Sequence, residues 1–135
     1  MQIRPGQDQD RDAVRALWDQ AGLTRVSEEE WRALVRADCA ALLVATEDNG
    51  SLIGAAVFAF DGWRAFVYHV AVAPAYRRAG VGTSLIQQAE ERVRGKGARR
   101  IFALVHESMT DGLALCAATG YEPEGDLVLV KGLMG

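Results

Sequence analysis

The sequence predicts an α/β fold in which a single mixed, mostly antiparallel sheet is flanked by helices on both faces. Two observations predict it. Short apolar runs typical of buried strands alternate with segments in which apolar residues recur at helical spacing. The dipeptide Asn49-Gly50 separates two of these runs and is a strong hairpin signal, which favours antiparallel neighbours. We expect the element order β-α-α-β-β-β-α-β-α-β-β.

The N-terminal part of the chain fits one short strand and two helices. After Asp10, four apolar residues recur at i, i+3, i+4 and i+7, and Gly22 ends this first helix. Ser27 and Glu30 have the spacing of a capping box, which predicts the start of a second helix. The apolar face of the first helix consists of Val14, Leu17, Trp18 and Ala21.

The middle of the chain predicts three strands and a helix. Asp61-Gly62 marks a turn between the second and third strands of this group. A glycine-rich stretch then opens a helix whose apolar residues again follow helical spacing. The three strands are expected at residues 41–47, 52–60 and 65–72.

The C-terminal part predicts one more strand, a short helix and a hairpin. Residues 99–105 have the composition of a strand. Ser108 and Asp111 are expected to cap a helix that ends at Gly120. Alternating apolar residues around a central Gly-Asp pair predict a final hairpin over residues 121–133.

Length and composition indicate one globular domain over residues 1–135. The sequence shows no repeat, low-complexity segment or linker. A net charge of −3 gives no reason to expect a nucleic-acid partner. The polar N-terminus does not resemble a signal peptide, and no apolar run is long enough for a membrane span. Cys39 and Cys116 follow neither metal nor disulfide spacing, so we expect no metal and a cytoplasmic location.

The stretch RRAGVGTS, residues 77–84, is a candidate anion-binding site. It joins a predicted strand to a predicted helix, and a helix N-terminus offers unpaired N–H groups and partial positive charge to a phosphate. Gly80 and Gly82 carry no Cβ that would keep an anion from the backbone. Arg77 and Arg78 can add charge-assisted hydrogen bonds. The alternative is a tight turn with solvated arginines.

Two common phosphate-binding motifs do not fit this stretch. A Walker loop requires a lysine after its second glycine, and Thr83 stands there. A dinucleotide fingerprint requires a third glycine, and Leu85 stands there.

The wider segment VAVAPAYRRAGVGTSLIQQAEERV, residues 70–93, resembles the acetyl-CoA-binding segment of the GNAT family of N-acetyltransferases. That family's signature is [RQ]-x-x-G-x-[GA] after a strand that ends in V-x-P. Arg77, Gly80 and Gly82 match the signature, and Val72 and Pro74 match the strand end. The layout of the rest of the chain is also similar, which indicates a small, stand-alone member of bacterial type.

The resemblance implies an acyl-CoA N-acyltransferase-like fold and transfer of an acetyl group from acetyl-CoA to an amine. It implies that the fourth strand pairs with the pantetheine arm and splays from the fifth strand, leaving room for the thioester. It also implies that the Val70 N–H polarises the thioester carbonyl. The implied cofactor-binding residues are Val70, Ala71, Val72, Arg77, Arg78, Ala79, Gly80, Val81, Gly82, Thr83 and Ser84.

The candidate catalytic residues lie near the ends of the fourth and fifth strands. Members of the family often carry a glutamate near the start of the fourth strand, where this chain has Tyr68 and His69. An imidazole suits a general base at neutral pH, but His69 could instead make one structural hydrogen bond. Strict strand alternation would point Tyr68 and His69 to opposite faces. His106 and Glu107 follow the fifth strand and are further candidates, with a plain surface loop as the alternative.

The chain departs from the family pattern in the last predicted helix. Cys116 stands where many members have a tyrosine that protonates the departing thiolate. Leu113, Cys116 and Ala117 have helical spacing, which predicts a buried stripe and a packing role for Cys116.

Three classes of function follow from these observations. The first is an acetyltransferase acting on a small-molecule or peptide amine. The second is a non-catalytic acyl-CoA binder or sensor, and the third is an interaction domain whose glycine turn binds no anion. The resemblance also allows for a homodimer, with Trp63 as a candidate contact.

Overall fold

The computed structural model describes residues 1–38 and 40–134; Cys39 and Gly135 lie outside the described residues. In these described residues five strands form one sheet in the order β1-β2-β3-β4-β5, with all neighbours antiparallel except β4 and β5, which are parallel. This confirms the predicted fold class. The strands are β1 Gln2–Pro5, β2 Ala40–Thr46, β3 Leu52–Phe60, β4 Ala65–Val72 and β5 Ile101–Leu104.

Four α-helices in the described part of the chain flank the sheet. The capping box predicted at the start of α2 is confirmed, because Ser27 Oγ accepts from the Glu30 N–H at 3.1 Å and Glu30 Oε1 accepts from the Ser27 N–H at 3.0 Å. The helices are α1 Arg11–Gln20, α2 Glu28–Arg36, α3 Val81–Gly95 and α4 Thr110–Ala118, with single 3-10 turns at Asp8–Asp10 and Pro74–Tyr76. None of the helices in the described residues is long and apolar enough to cross a membrane.

The predicted caps of α4 are wrong. Met109 precedes the helix, and no side chain caps it. The Ser108 hydroxyl instead lies 2.7 Å from His106 Nδ1, so it makes a hydrogen bond within the loop that follows β5.

The predicted C-terminal hairpin is also absent from the structure. Residues 122–134 form neither helix nor strand, and the side chains of residues 127–134 are exposed. An alternating apolar pattern forms a stable strand only where a neighbouring strand and an apolar surface are available. Within the described part of the chain this segment pairs with no strand and its side chains are not packed against an apolar surface.

The sheet separates two cores. On one face α3 packs over residues from β2, β3 and β4, including Leu43, Ile53 and Val67. On the other face α1 and α2 bury Trp18 and Trp31 against the sheet. Each tryptophan is about 1% exposed, so both are core residues, as the position of Trp18 on the apolar face of the first helix predicts.

A bidentate ion pair fastens β1 to the turn before α1. The Arg4 guanidinium donates to both carboxylate oxygens of Asp10, at 2.8 and 2.9 Å, and the Gln7 N–H donates to the same carboxylate at 2.8 Å. The hydrogen bond from Arg4 is the main cause that holds the pKa of Asp10 below its ordinary value.

We expect Asp10→Asn to lower the free energy of unfolding at pH 7 by roughly 1–3 kcal/mol, because hydrogen bonds to a charged partner are lost. The folded pKa of Asp10 lies below its ordinary value of 3.8, so the stabilisation is complete above that value and disappears as the pH falls through the folded pKa. Urea unfolding at pH 7 and in acid measures this. Asp12→Asn, which removes an exposed carboxylate, is the control. An equal deficit for Asp10→Asn at both pH values would contradict the assignment.

Candidate active site

The two parallel strands at the centre of the candidate site separate part of the way along. Pairing of β4 with β5 runs from Ala65 opposite Ile101 to Tyr68 opposite Leu104, where β5 ends. β4 continues to Val72. Its residues after Tyr68 therefore have no pairing partner in β5, and we call the side of β4 that β5 leaves unpaired here the opening.

Backbone groups of β4 face this opening. The Ala73 N–H donates to the Ile53 carbonyl in β3 at 2.8 Å. Because alternate residues of a regular strand direct their N–H and C=O groups to opposite sides, those of Val72 point away from β3. The Val72 carbonyl accordingly lies 3.5 Å from Arg77 Nε instead of pairing with β3.

β4 is irregular at His69. Tyr68 pairs with Val57 and Ala71 with Ala55, so β4 holds one residue more than β3 between these pairs. His69 adopts a left-handed backbone conformation with φ of +51°. The buried Trp18 indole donates its Nε1–H to the His69 carbonyl at 2.8 Å and fixes the irregularity from α1.

This extra residue changes which side chains share a face. Ala65 and Val67 lie in the core under α3, and after the irregularity Val70 and Val72 lie on that side. Tyr68 and His69 consequently both reach the α1–α2 side of the sheet. The expectation that they point to opposite faces is wrong, because strict alternation assumes a regular strand.

Tyr68 and His69 line a cleft of about 250 Å³ between the sheet and the α1–α2 connection. The His69 Nε2 lies 3.0 Å from the Thr24 carbonyl, and the His69 ring meets the Trp18 ring edge-on at 5.0 Å between centroids. The remaining lining residues are Arg25, Val26, Glu30, Leu34 and Val57.

The hydrogen bond to Thr24 determines the histidine tautomer. A carbonyl oxygen only accepts, so Nε2 carries the proton and Nδ1 of the neutral ring keeps its lone pair. Sequence reasoning missed the partners Thr24 and Trp18, because one acts through its backbone and the other is 51 residues distant in the chain.

The glycine stretch forms the N-terminus of α3 next to the end of β4. Arg78 and Gly80 have positive φ values of +64° and +83°, and Gly80 is the residue that precedes the helix. Ser84 makes the first helical hydrogen bond, from its N–H to the Gly80 carbonyl at 3.0 Å. The N–H groups of Val81, Gly82 and Thr83 therefore have no acceptor within the helix.

The two glycines have different surroundings. A Cβ on Gly80 would meet nothing within 4 Å, so this residue leaves open space in front of the helix. A Cβ on Gly82 would lie 2.7 Å from the Leu115 side chain. Gly82 is buried and allows α4 to approach α3, a packing role that the sequence did not indicate.

The two arginines of the stretch also differ. Arg77 lies 3.3 Å from Asp111 on α4 and 3.5 Å from the Val72 carbonyl, so it connects β4 to α4. Arg78 has no ion pair among the described residues and is exposed. Ala79 is exposed as well, and Thr83 and Ser84 are half-buried at the start of α3.

The remaining candidates lie elsewhere around the opening. Glu107 is exposed in the loop after β5 and does not line the cleft beside His69. In the same loop, the Ser108 N–H donates to His106 Nδ1 at 3.1 Å. No group of acidic, histidine or cysteine side chains in residues 1–38 and 40–134 is arranged to hold a metal ion.

Cys116 is half-buried on α4, and burial raises the pKa of its thiol. The predicted buried stripe is wrong, because Leu113 and Ala117 are exposed. The inward positions of α4 are instead Gly112, Leu115, Cys116 and Thr119.

Tyr121, which follows α4, is hydrogen-bonded to α3. Its hydroxyl donates to Glu90 Oε2 at 2.8 Å on α3. Burial and this hydrogen bond raise the pKa of Tyr121 well above its ordinary value, so the phenol keeps its proton.

Comparison with known proteins identifies the family. The family model described as "Acetyltransferase (GNAT) family" matches residues 7–121. An acetyltransferase of Yersinia pestis (strain Pestoides F) is 28% identical over 137 residues, which cover 99% of this chain and 96% of that protein. Its counterpart from Yersinia pseudotuberculosis has the same identity and coverage.

Solved structures show the same fold. The aminoglycoside 6'-N-acetyltransferase AAC(6')-IG from Acinetobacter haemolyticus has a TM-score of 0.82 and 22% identity, with all of both chains covered. AAC(6')-Iy, solved in complex with the bisubstrate analogue CoA-S-monomethyl-acetylneamine, has a TM-score of 0.80 and 21% identity, with 98% of each chain covered.

The chain belongs to the GNAT family of acetyltransferases. It is an N-acetyltransferase, and the transferred group is an acetyl group. The resemblance drawn from residues 70–93 is thereby confirmed.

Proposed function

We propose that the protein transfers an acetyl group from acetyl-CoA to a primary amine of a small molecule or peptide, by direct attack of the amine on the thioester. One observation carries this proposal. The irregularity of β4 at His69 lies where the opening beside β5 meets the cleft under the α1–α2 connection. A thioester in the opening and an amine in the cleft would therefore meet at His69 and Val70.

The unpaired groups of β4 and α3 support the placement of acetyl-CoA. The N–H groups of Val81, Gly82 and Thr83, together with the positive end of α3, suit a pyrophosphate in front of Gly80. Arg78, which precedes Gly80 by two residues, makes no ion pair among the described residues, whereas Arg77 already pairs with Asp111. The backbone groups of Val70 and Val72 suit the amides of the pantetheine arm.

The Val70 N–H is the proposed donor to the thioester oxygen. Its peptide unit is held in place because the Trp18 indole donates to the His69 carbonyl, which belongs to the same unit. A preorganised donor aimed at developing negative charge typically contributes about a hundredfold or more to kcat.

His69 is the proposed general base. Its Nδ1 is the basic nitrogen, since Nε2–H is committed to the Thr24 carbonyl at 3.0 Å. The attacking ammonium must lose a proton before it becomes a nucleophile, and an imidazole is suited to that step at neutral pH. Tyr68 lies against the His69 ring at 5.8 Å between centroids and shapes the cleft beside it. We assign Glu107 no step in this scheme.

Glu30 supports a cationic acceptor. Hydrogen bonds from the Ser27 backbone and side chain hold the pKa of Glu30 below its ordinary value, which keeps a carboxylate at the cleft. Arg25, on the same wall, would tolerate an anionic group elsewhere in the acceptor. Because the structural neighbours AAC(6')-IG and AAC(6')-Iy are aminoglycoside acetyltransferases, aminoglycosides belong among the amines to be tested.

The proposal is tested in two steps. Acetyl-CoA at about 100 times its Kd should stabilise the folded protein by about 2.7 kcal/mol, seen as a rise in Tm. Release of free CoA thiol is then measured with a panel of aminoglycosides, polyamines, amino acids and peptides. A thermal shift without turnover of any amine would favour the non-catalytic acyl-CoA binder. No thermal shift at all would contradict both the acetyltransferase and the non-catalytic acyl-CoA binder.

We further propose a cytoplasmic location, for which the cysteine pattern is the support.

We expect Cys116→Ala to lower kcat by much less than the hundredfold typical of lost general-acid catalysis. Cys116 is half-buried, and its short side chain packs on α4. Steady-state kinetics with acetyl-CoA and an accepted amine measure this, and the melting temperature reports the small packing loss. A hundredfold fall in kcat with unchanged acetyl-CoA affinity and Tm would make Cys116 the acid.

A further inference from the structure

The sheet face that carries α1 and α2 extends beyond the core under these two helices. Ala65 and Val67 lie under α3 on the other face, so Phe66 points to the α1–α2 face, and Phe102, its partner in the register, points there too. Neither phenylalanine is among the described residues that pack in the core under α1 and α2. Both are half-buried, so their rings remain partly in contact with solvent.

We call this surface the aromatic strip and define it by Phe66 and Tyr68 on β4 and Phe102 and Leu104 on β5. The Phe66 and Phe102 rings are stacked, with 5.5 Å between their centroids. Leu104 lies opposite Tyr68 and is 38% exposed. Tyr68 also lines the cleft beside His69. The aromatic strip therefore begins at the candidate active site and leads away from it along β4.

Two arginines lie at the far end of the aromatic strip. The guanidinium of Arg64 lies 5.7 Å from the centre of the Phe102 ring, and that of Arg100 lies 5.2 Å from the same ring. Arg64 also lies 4.3 Å from the ring of Trp63, which is 74% exposed. Arg100 pairs with Glu124, whereas Arg64 makes no ion pair among the described residues. The far end thus presents positive charge on an aromatic surface, which suits an anionic group.

The charged groups differ between the two ends of this face. Glu30 provides a carboxylate in the cleft, next to Arg25 on the same wall. Arg64 and Arg100 lie at the far end, and the carboxylate of Asp61 is engaged in its own turn, where Oδ1 accepts the N–H groups of the second and third following residues at 2.8 Å. An acceptor with a cationic amine at one end and acidic groups at the other complements this arrangement, whereas a polycation such as an aminoglycoside would bring like charges to the arginines.

We propose that the acceptor is a peptide whose N-terminal amine enters the cleft and whose acidic side chains reach Arg64 and Arg100 along the aromatic strip. This inference rests on the proposed acetyl transfer at His69. The strand from His69 back to Arg64 covers about 16 Å, which an extended peptide of about five residues spans. An N-terminal amine fits better than a lysine side chain, because its chain continues in one direction only. The other direction along β4 leads to the residues proposed to bind acetyl-CoA.

A pair of matched peptides tests the charge preference by steady-state kinetics. Both are pentapeptide amides with a free N-terminus and no lysine, and one carries glutamates where the other carries glutamines. We expect kcat/KM to be about tenfold higher for the glutamate peptide, because each exposed ion pair contributes modestly. Arg64→Glu should abolish or reverse this preference. Arg92→Glu, the same change at an exposed residue of α3 on the other face, should keep it. Equal kcat/KM for the two peptides, or an unchanged preference in Arg64→Glu, would overturn the proposal.

Binding without turnover separates this inference from the proposed function. With CoA in place of acetyl-CoA, titration calorimetry measures the affinity of each peptide, and the fluorescence of the exposed Trp63 reports where the glutamate peptide binds. Trp63→Phe should remove that fluorescence change. Binding that depends on Arg64, with no acetylation of any amine, would contradict the acetyl transfer and keep the peptide site. Acetylation of amines without tight binding of the glutamate peptide, or binding without a change at Trp63, would keep the transfer and overturn the inference.

A second copy of the chain is the other candidate occupant of the aromatic strip. Light scattering measures the mass in solution, which is 14.6 kDa for one chain. We expect Arg64→Glu to leave that mass unchanged, because the strip is proposed to be free for the peptide. A dimer that dissociates in Arg64→Glu would show that a second copy covers the strip, and the proposal would be wrong.

Discussion

Replacing Gly80 with aspartate is expected to weaken acetyl-CoA binding by about a hundredfold while leaving the fold intact. Gly80 has open space in front of it, so the new side chain fits, and it lies at the N–H groups proposed to hold the pyrophosphate. A carboxylate about 4 Å from a phosphate costs roughly 4 kcal/mol at an effective dielectric of about 20. Solvent exposure and salt reduce this repulsion, and about two orders of magnitude in Kd remain.

The matched control is Gly80→Asn, which has the same shape and the same positive φ without the charge. Titration calorimetry with acetyl-CoA measures both variants, and the melting temperature checks folding. Equal affinities for the two variants would show that no phosphate approaches Gly80. Gly82→Asp is not an equivalent test, because a side chain there collides with Leu115 and would change the packing of α4.

Replacing His69 with asparagine is expected to lower kcat by about a hundredfold or more with little change in acetyl-CoA affinity. Asparagine tolerates the left-handed backbone at this position, with φ of +51°, better than most residues. Trp18 bonds to the backbone carbonyl and so keeps its partner in the variant. The fall in kcat should therefore result from the loss of the imidazole and not from a change in the irregularity of β4.

A second variant separates proton transfer from positioning. His69→Gly also accepts a positive φ and leaves space in the cleft, so added imidazole should restore part of kcat if the ring acts as a base. Steady-state kinetics over a range of imidazole concentrations provide the readout. Full activity of His69→Asn would leave His69 only the structural hydrogen bond to Thr24. A fall in kcat without imidazole rescue would favour a positioning role.

Several features of the fold could be predicted because they depend on neighbouring residues. Asn49-Gly50 forms the turn between β2 and β3, with Gly50 at φ of +89°. The capping box of Ser27 and Glu30 forms as expected, and the glycine stretch does open α3. In each case residues that are close together in the sequence determine the local conformation.

The C-terminal hairpin and the face of His69 could not be predicted in this way. The hairpin pattern is present in the sequence, but a strand also needs a partner edge, which the sequence does not supply. The face of His69 depends on the pairing of β4 with β3 and on the hydrogen bond from Trp18, 51 residues away. Both are decided by contacts between distant segments.

The sequence by itself determined the family and the position of the glycine turn that opens α3, because glycine spacing and strand-to-helix joins are local properties. Only the tertiary structure decided that Tyr68 and His69 share one cleft, and that Gly82 serves the approach of Leu115 while Gly80 stays open. Both outcomes have the same physical reason. The face to which a strand residue points and the free space beside a Cα depend on which segments pack together, and contacts between distant segments decide that.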